Sequence, residues 1–326
     1  MRASILSWLG LALVIAGCGS PTDPPFERRV FETTLDGEWI GNAISYGPYR
    51  DGQAPGAEQP SREEIREDLH LIAQHWKLLR IYGSQGSSET ILELIRGDEL
   101  GLRVMLGAWI EAEDSEENRV RNVREVDEAI RLTNAYPDVV AALSVGNETQ
   151  VYWSAHRGPL DPVIAHVRRA RAAVEVPVTS ADDYNYWNKE ESAALAREID
   201  FLALHIHPLW NGILLEDAVA WTAGVVESIQ DLHPEVPVVL AETGWATQKH
   251  DEGEQARLIK DEPDEEGQAV FYREWTRWSE EARLVTFFFE AFDEKWKGGP
   301  HPNEVEKHWG LYRSDRTPKK AMARND

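Results

Sequence analysis

Residues 139–148 read Val-Val-Ala-Ala-Leu-Ser-Val-Gly-Asn-Glu. Only Ser144 interrupts the apolar run before Gly146. A strand with one wet face alternates apolar and polar residues, whereas a run like this is buried on both faces, as in a parallel sheet covered by helices. The run stops at Asn147 and Glu148, which puts a carboxylate at its C-terminal end. On either side lie longer amphipathic stretches, 118–134 and 161–174, and beyond those two further short apolar runs, 102–108 and 176–180.

The alternation continues in both directions. Strands are expected at 39–46, 77–82, 102–108, 139–146, 176–180, 200–206, 236–242 and 284–292. Helices are expected at 61–75, 87–97, 118–134, 161–174, 189–198, 215–231 and 265–281. Ser61 followed by Glu64 forms a capping box at one helix start. Eight nearly continuous apolar strands separated by helices, within about 290 residues, favour an α/β fold of one closed (β/α)8 TIM barrel over an open doubly wound sheet. No Gly-x-Gly-x-x-Gly follows the first strand, so a dinucleotide-binding fold lacks its main support.

The chain has 326 residues, with 34 Lys+Arg against 57 Asp+Glu and a formal net charge of −23. A surface this acidic repels phosphate backbones and polyanionic sugars, which argues against nucleic acid as a partner and favours a neutral substrate. The single cysteine, Cys18, closes Ile15-Ala16-Gly17-Cys18 after an apolar run from Ile5 to Ala16. That run is too short for a permanent membrane span but suits a signal peptide, and its end resembles a bacterial lipobox with Cys18 as the lipidated residue. An ordinary signal peptide with a chance cysteine is the alternative. The expected organisation is a signal peptide at 1–17, a Pro-rich charged tether at 18–36 and the barrel at 37–326, in a bacterial cell envelope protein whose only membrane contact is its lipid.

Catalysis in such a barrel sits at the C-terminal strand ends. Strand four ends at Glu148; strand seven reads Leu240-Ala241-Glu242-Thr243-Gly244-Trp245. Across a closed barrel both carboxylates can aim at one centre. Glycoside hydrolysis needs such a pair, one carboxyl protonated to donate to the leaving oxygen and one ionised to attack the anomeric carbon. Asn147 supplies an amide for a sugar hydroxyl or a carboxylate. The plain alternative is that each glutamate caps a helix or pairs with a surface arginine.

Several stretches together resemble glycoside hydrolase family 17: Ile44-Ser45-Tyr46-Gly47-Pro48-Tyr49, Leu79-Arg80-Ile81-Tyr82, Val145-Gly146-Asn147-Glu148, Ala241-Glu242-Thr243-Gly244-Trp245, Phe292-Asp293-Glu294 and Glu306-Lys307-His308-Trp309-Gly310-Leu311-Tyr312. The resemblance spans roughly residues 39–321 and implies a retaining β-1,3-glucanase with Glu148 as proton donor and Glu242 as nucleophile. It departs at Gly83, where the family usually has Asp, and at His207, where it usually has a tyrosine able to hydrogen-bond the nucleophile. A neutral His207 can still donate to Glu242, and a protonated one would lower its pKa.

His205 and His207 share a strand face, which also admits a zinc reading, though no further His and Asp set accompanies them. On strand eight Glu290, Phe292 and Glu294 alternate onto one face; Glu294 is expected to meet sugar hydroxyls, and Glu290 either to belong to the site or, the favoured reading, to form a buried ion pair with Arg80. Among 13 tryptophans, Trp109, Trp153, Trp187, Trp210, Trp245 and Trp296 each follow a strand and are expected to line the mouth as flat surfaces for sugar rings. The alternative is that they close the barrel end. Tyr46, Tyr82, Tyr184, Tyr186, Asp182, Asp183 and Asn185 add candidate contacts. The expectation is a monomer without cofactor or metal that acts on β-glucan. A transglucosylase using the same glutamates, a non-catalytic glycan-binding lipoprotein and a metal-dependent hydrolase are the alternatives.

Overall fold

The computed structural model describes residues 26–323. The expected signal peptide, Cys18 and the first part of the expected tether lie outside the described residues.

Eight parallel strands close into a barrel: β1 (Asn42–Ser45), β2 (Leu78–Ile81), β3 (Arg103–Ala108), β4 (Val140–Asn147), β5 (Val178–Asp183), β6 (Leu202–His205), β7 (Val238–Thr243) and β8 (Thr286–Phe288). Closure is made by β8 beside β1, with Thr286 opposite Asn42 and Phe288 opposite Ile44. Six long helices cover the outside: α1 (Arg62–Ile72), α2 (Ser88–Gly97), α3 (Glu116–Ala135), α4 (Leu160–Ala173), α5 (Leu215–Leu232) and α6 (Glu265–Ala282). The Ser61 and Glu64 capping box is formed at α1. The (β/α)8 expectation holds.

The expected helix at 189–198 does not form as one piece. It is a 3-10 turn, Glu190–Ser192, and a single helical turn, Ala193–Ala196, preceded by another turn, Tyr184–Trp187. The cause lies in β5, which runs on to Asp183; the Asp183 carboxylate then accepts from the Asn185 backbone N–H at 2.8 Å and starts a turn at once.

Small apolar residues, Ala43, Ala141, Ala181, Ala203 and Ala241, share the barrel interior with Met105, Phe201 and Phe287, while larger aliphatic residues fill the layer under the helices. The N-terminal end of the barrel is closed by the segment from residue 26 onward. Phe31 stacks on Phe201 at 5.0 Å. Asp200 Oδ1 accepts from the Arg29 backbone at 2.7 Å, and the Arg29 guanidinium donates to the Val176 and Arg171 carbonyls at 3.0 and 2.9 Å. A short hairpin, Thr34–Leu35 with Glu38–Trp39, follows. Residues 26–36, grouped with the tether from their composition, therefore pack on the barrel, because Arg28 and Arg29 find loop carbonyls there. No helix among the described residues is long and apolar enough to cross a membrane.

At the opposite end the strand register shifts between Ser144 and Asn147, between Leu204 and His205, and between Thr286 and Phe288. Irregularities of this kind bend a strand and re-aim its side chains. All three lie beside the candidate catalytic residues.

Candidate active site

Glu148 follows directly on β4 and sits in left-handed backbone, φ +50°, just after Gly146 at φ +86°. A non-glycine residue there stores strain of order 1 kcal/mol or more. The neighbouring strand holds it in place. Glu148 N donates to the Ala181 carbonyl at 2.8 Å. The buried Asp182 carboxylate accepts from Gln150 N at 2.8 Å and Val151 N at 3.1 Å, the next turn of chain, and from Asp183 N at 2.9 Å. Asp182 and Asp183 were candidates for sugar contact; their carboxylates are instead consumed by backbone N–H groups. Burial pushes the Asp183 carboxyl up to about 7, against the Asn185 hydrogen bonds and with the nearby Glu148 charge.

Glu242, within β7, is buried at the centre of the mouth. Arg80 reaches it from β2: Nη1 donates to Glu242 Oε1 at 2.8 Å and to the Ala241 carbonyl at 2.9 Å, while Nη2 donates to Asn147 Oδ1 at 2.6 Å. One buried guanidinium thus ties the end of β7 to the end of β4. It rests over the Tyr82 ring, 4.6 Å from the centroid. His207 Nε2 lies 3.2 Å from Glu242 Oε2, in the place expected from the sequence. Burial opposes a charge on Glu242. The groups around it, His205 when protonated, Arg80 permanently and His207 by its hydrogen bond, outweigh that and hold the carboxyl well below the usual range. Burial likewise opposes a charge on His207, but its hydrogen bond to Glu242 and the surrounding carboxylates raise its pKa overall.

His205 occupies the space between the two glutamates and is 0% exposed. Its Nδ1 is 3.0 Å from Glu148 Oε1, and its Nε2 is 3.0 Å from Arg80 Nη1 and 3.4 Å from Glu242 Oε1. It was a candidate for sugar contact, yet both its nitrogens are engaged with protein. Its position across the mouth from Glu148 depends on barrel closure and the shift after Leu204, which residue spacing along β6 does not reveal.

Among the described residues, Glu148, His205 and Glu242 are the trio whose ligating atoms lie close together, all within 4.8 Å of one another. The positive charge that a metal would bring is already supplied by Arg80 Nη1. His205 and His207 direct nitrogens at different carboxylate oxygens rather than at one point, so the zinc reading of the His-x-His finds no common centre.

Glu290 does not pair with Arg80. Its partner is Lys297, whose Nζ is 2.6 Å from Glu290 and 2.9 Å from Glu294, and the Arg80 fork is already filled by Glu242 and Asn147. Two buried carboxylates on one ammonium leave one charge over. Burial pushes Glu290 well up, toward its neutral form, against the pull of Lys297. Glu294 is likewise buried and packed against Gly47, so it is a structural anchor of the β8 end.

The six expected indoles divide. Trp187 (0% exposed) and Trp245 (1%) are core residues; Trp187 Nε1 donates to the Ala203 carbonyl at 3.3 Å, and Trp245 lies against Phe271. Large rings here fill the gap between barrel and helices. Trp153 (48% exposed) and Trp296 (40%) present open faces, with Trp153 beside Tyr152 and Trp296 beside Tyr49. Trp109 and Trp210 are half-buried, tied through their N–H to Glu111 and Glu306. Tyr46 is buried with its hydroxyl on Asp68, Tyr186 is buried in the wall, and Tyr82 is half-buried beneath the Arg80 guanidinium. Tyr184 keeps a partly open face, its hydroxyl donating to Asn211 at 2.6 Å.

Residues 43–310 match the model of the BtgE/BtgC glycoside hydrolase domain. A glucan 1,3-beta-glucosidase of Arthroderma benhamiae is 27% identical over 282 residues, 81% of this chain and 86% of that protein. A putative glucan endo-1,3-beta-glucosidase, btgC, of Aspergillus niger is 26% identical over 281 residues, 79% of this chain but 39% of its own length. The chain thus spans most of the first relative and about two fifths of the second. Among solved structures, an endo-laminarinase from Formosa Hel1_33_131 is 27% identical with a TM-score of 0.76, covering 87% of this chain and 86% of that one. A family 17 β-1,3-glucanosyltransferase from Rhizomucor miehei shares the fold, at 23% identity and a TM-score of 0.68, over 86% of this chain and 96% of that one.

Proposed function

The chain belongs to the BtgE/BtgC glycoside hydrolase family, and from that premise we propose that it cleaves β-1,3-glucan with retention of configuration, Glu148 acting as acid/base and Glu242 as nucleophile. The observation that carries this reading is the approach of an oxygen of Glu148 to an oxygen of Glu242 within 4.8 Å. Retaining enzymes hold their two carboxyls about 5–5.5 Å apart, whereas inverting ones leave roughly 6.5–9.5 Å for a water. The electrostatics agree. Arg80 and His207 keep Glu242 ionised, as a nucleophile must be, while Glu148 remains partly open to the cleft.

In the first step a Glu242 oxygen bonds to the anomeric carbon as the glycosidic C–O bond breaks, and Glu148 gives its proton to the departing oxygen. In the second, water gives a proton to Glu148 and its oxygen to the anomeric carbon, which frees Glu242. The names of the relatives support β-1,3-glucan as substrate. Transfer to a sugar is the second reading. Tyr152 (73% exposed) and Trp153 stand just past Glu148, where a second sugar could stack and take the place of water. A lipid on Cys18 would hold the enzyme at the cell envelope.

A digest of a β-glucan panel, with products read by mass and anomeric configuration, tests the proposal. Shorter products first released as the β-anomer from β-1,3-linked chains are expected. Products longer than the substrate would favour transfer. First release of the α-anomer, or binding of β-1,3-glucan without turnover, would overturn it.

A further inference from the structure

His205 faces charged groups on every side. Arg80 comes from β2, Glu148 from β4, Glu242 from β7 and Asp183 from β5, where it is the register partner of His205; His207 lies two positions on along its own chain. The geometry decides its tautomer. A guanidinium nitrogen carries only donors, so a proton on Nε2 would face another donor 3.0 Å away at Arg80 Nη1; Nε2 is the bare nitrogen and shares with Glu242 and the Ala241 carbonyl the two hydrogens of Nη1. The ring proton of the neutral imidazole then sits on Nδ1 and points at Glu148 Oε1, 3.0 Å away. That hydrogen bond occupies one of the two Glu148 oxygens.

We propose that His205 is a positioning residue for acid/base catalysis: its Nδ1–H fixes the inner oxygen of Glu148, so that the transferable proton is confined to Oε2. The inference rests on Glu148 being the acid/base. In the first step the Oε2–H bond breaks and the proton passes to the glycosidic oxygen; His205 neither gains nor loses a proton, and its N–H then holds the newly formed carboxylate. In the second step the proton from water returns to Oε2 by the same path. Arg80 links this arrangement to the nucleophile, because the same Nη1 that fixes the His205 tautomer also holds Glu242.

The test uses His205→Asn and His205→Gln in the full-length enzyme. The Asn amide nitrogen can take the place of Nδ1, and the Gln side chain takes the place of Nε2. The pH profile of kcat/KM should keep its alkaline limb in His205→Asn. In His205→Gln the limb should move up by about one pH unit, the displacement expected when a carboxylate loses one hydrogen bond, with a roughly tenfold lower kcat and little change in KM. Equal profiles for both variants would overturn the proposal. Nitrogen NMR of the wild-type enzyme tests it without any variant: a protonated Nδ1 and a bare Nε2 are expected at neutral pH, and the opposite tautomer would refute it. Glu148→Gln separates this from the assignment beneath it. If azide restores its turnover of an activated aryl glucoside, Glu148 is the acid/base, and a failure of the His205 variants then falls on His205 alone. If azide does not, the Glu148 assignment falls and the proposal with it.

Discussion

Replacing Arg80 by Met removes the permanent cation that pairs with Glu242. Arg80 is buried, and it donates to Glu242, to Asn147 and to the Ala241 carbonyl. Removing one partner of a buried ion pair leaves the other charge unpaired, which costs about 3–5 kcal/mol. At roughly 2 °C per kcal/mol for a domain of this size, Tm at pH 7 should fall by about 6–10 °C. The carboxylates also meet each other's charge directly. When both are ionised, two unit charges no more than 4.8 Å apart repel by about 3.5 kcal/mol or more at an effective dielectric of ~20. The sign of the pH effect follows. Glu242 is depressed in the folded enzyme, so it contributes stability above its unfolded value of 4.5, lost as pH falls through the folded value. Without Arg80 that contribution shrinks. The Tm difference between wild type and variant should therefore narrow from pH 7 toward pH 3, and the acidic limb of kcat/KM should move up by a unit or more. Calorimetric melting across that range and a pH–rate profile measure both. A constant Tm difference together with an unmoved acidic limb would refute the claim that Arg80 keeps the nucleophile ionised.

Trp187→Ala should lose about 3–5 kcal/mol of stability as a core truncation, whereas Trp153→Ala should leave Tm nearly unchanged and raise KM for a laminari-oligosaccharide roughly fivefold, the worth of about 1 kcal/mol of ring contact; melting curves and steady-state kinetics distinguish the two. His207→Gln should flatten the stability profile above neutrality. His207 has a raised folded pKa, so its contribution is complete below its unfolded value of 6.5 and is lost as pH rises through the folded one; the wild type should lose Tm there relative to the variant, and parallel curves would contradict this. Asp182→Asn should lower kcat at least tenfold with KM little changed, because an amide cannot accept from Gln150, Val151 and Asp183 together; unchanged kcat would free the Glu148 turn from this clamp.

Barrel, strand order and the placement of Glu148 and Glu242 at strand ends were legible because each rests on a local pattern. An unbroken apolar run such as 139–145 has few other homes, and a carboxylate at its end has one place to point. What the pattern hides is which groups meet across the mouth. His205 and Glu148 are 57 positions apart, and Arg80 and Glu242 are 162 apart; closure and the register shifts bring them together. Glu290 went to Lys297 for a visible reason, since a lysine three residues after Glu294 can turn back under the strand end. A tryptophan after a strand did not distinguish rim from wall, because an indole suits both, as Trp153 and Trp187 show. The Arg28-Arg29 doublet was the one signal that the segment before the barrel would be tied down, as loop carbonyls attract guanidinium groups.

In the proposed mechanism Glu242 forms a covalent bond to the sugar while Glu148 moves the proton. The most direct test is to treat the enzyme with a 2-fluoro laminari-oligosaccharide carrying an activated leaving group and to map the labelled peptide by mass spectrometry. A single label on Glu242, released on dilution into a glucan acceptor, is expected. A label on Glu148, Glu290 or Glu294, or no label on an enzyme that turns over normally, would contradict it.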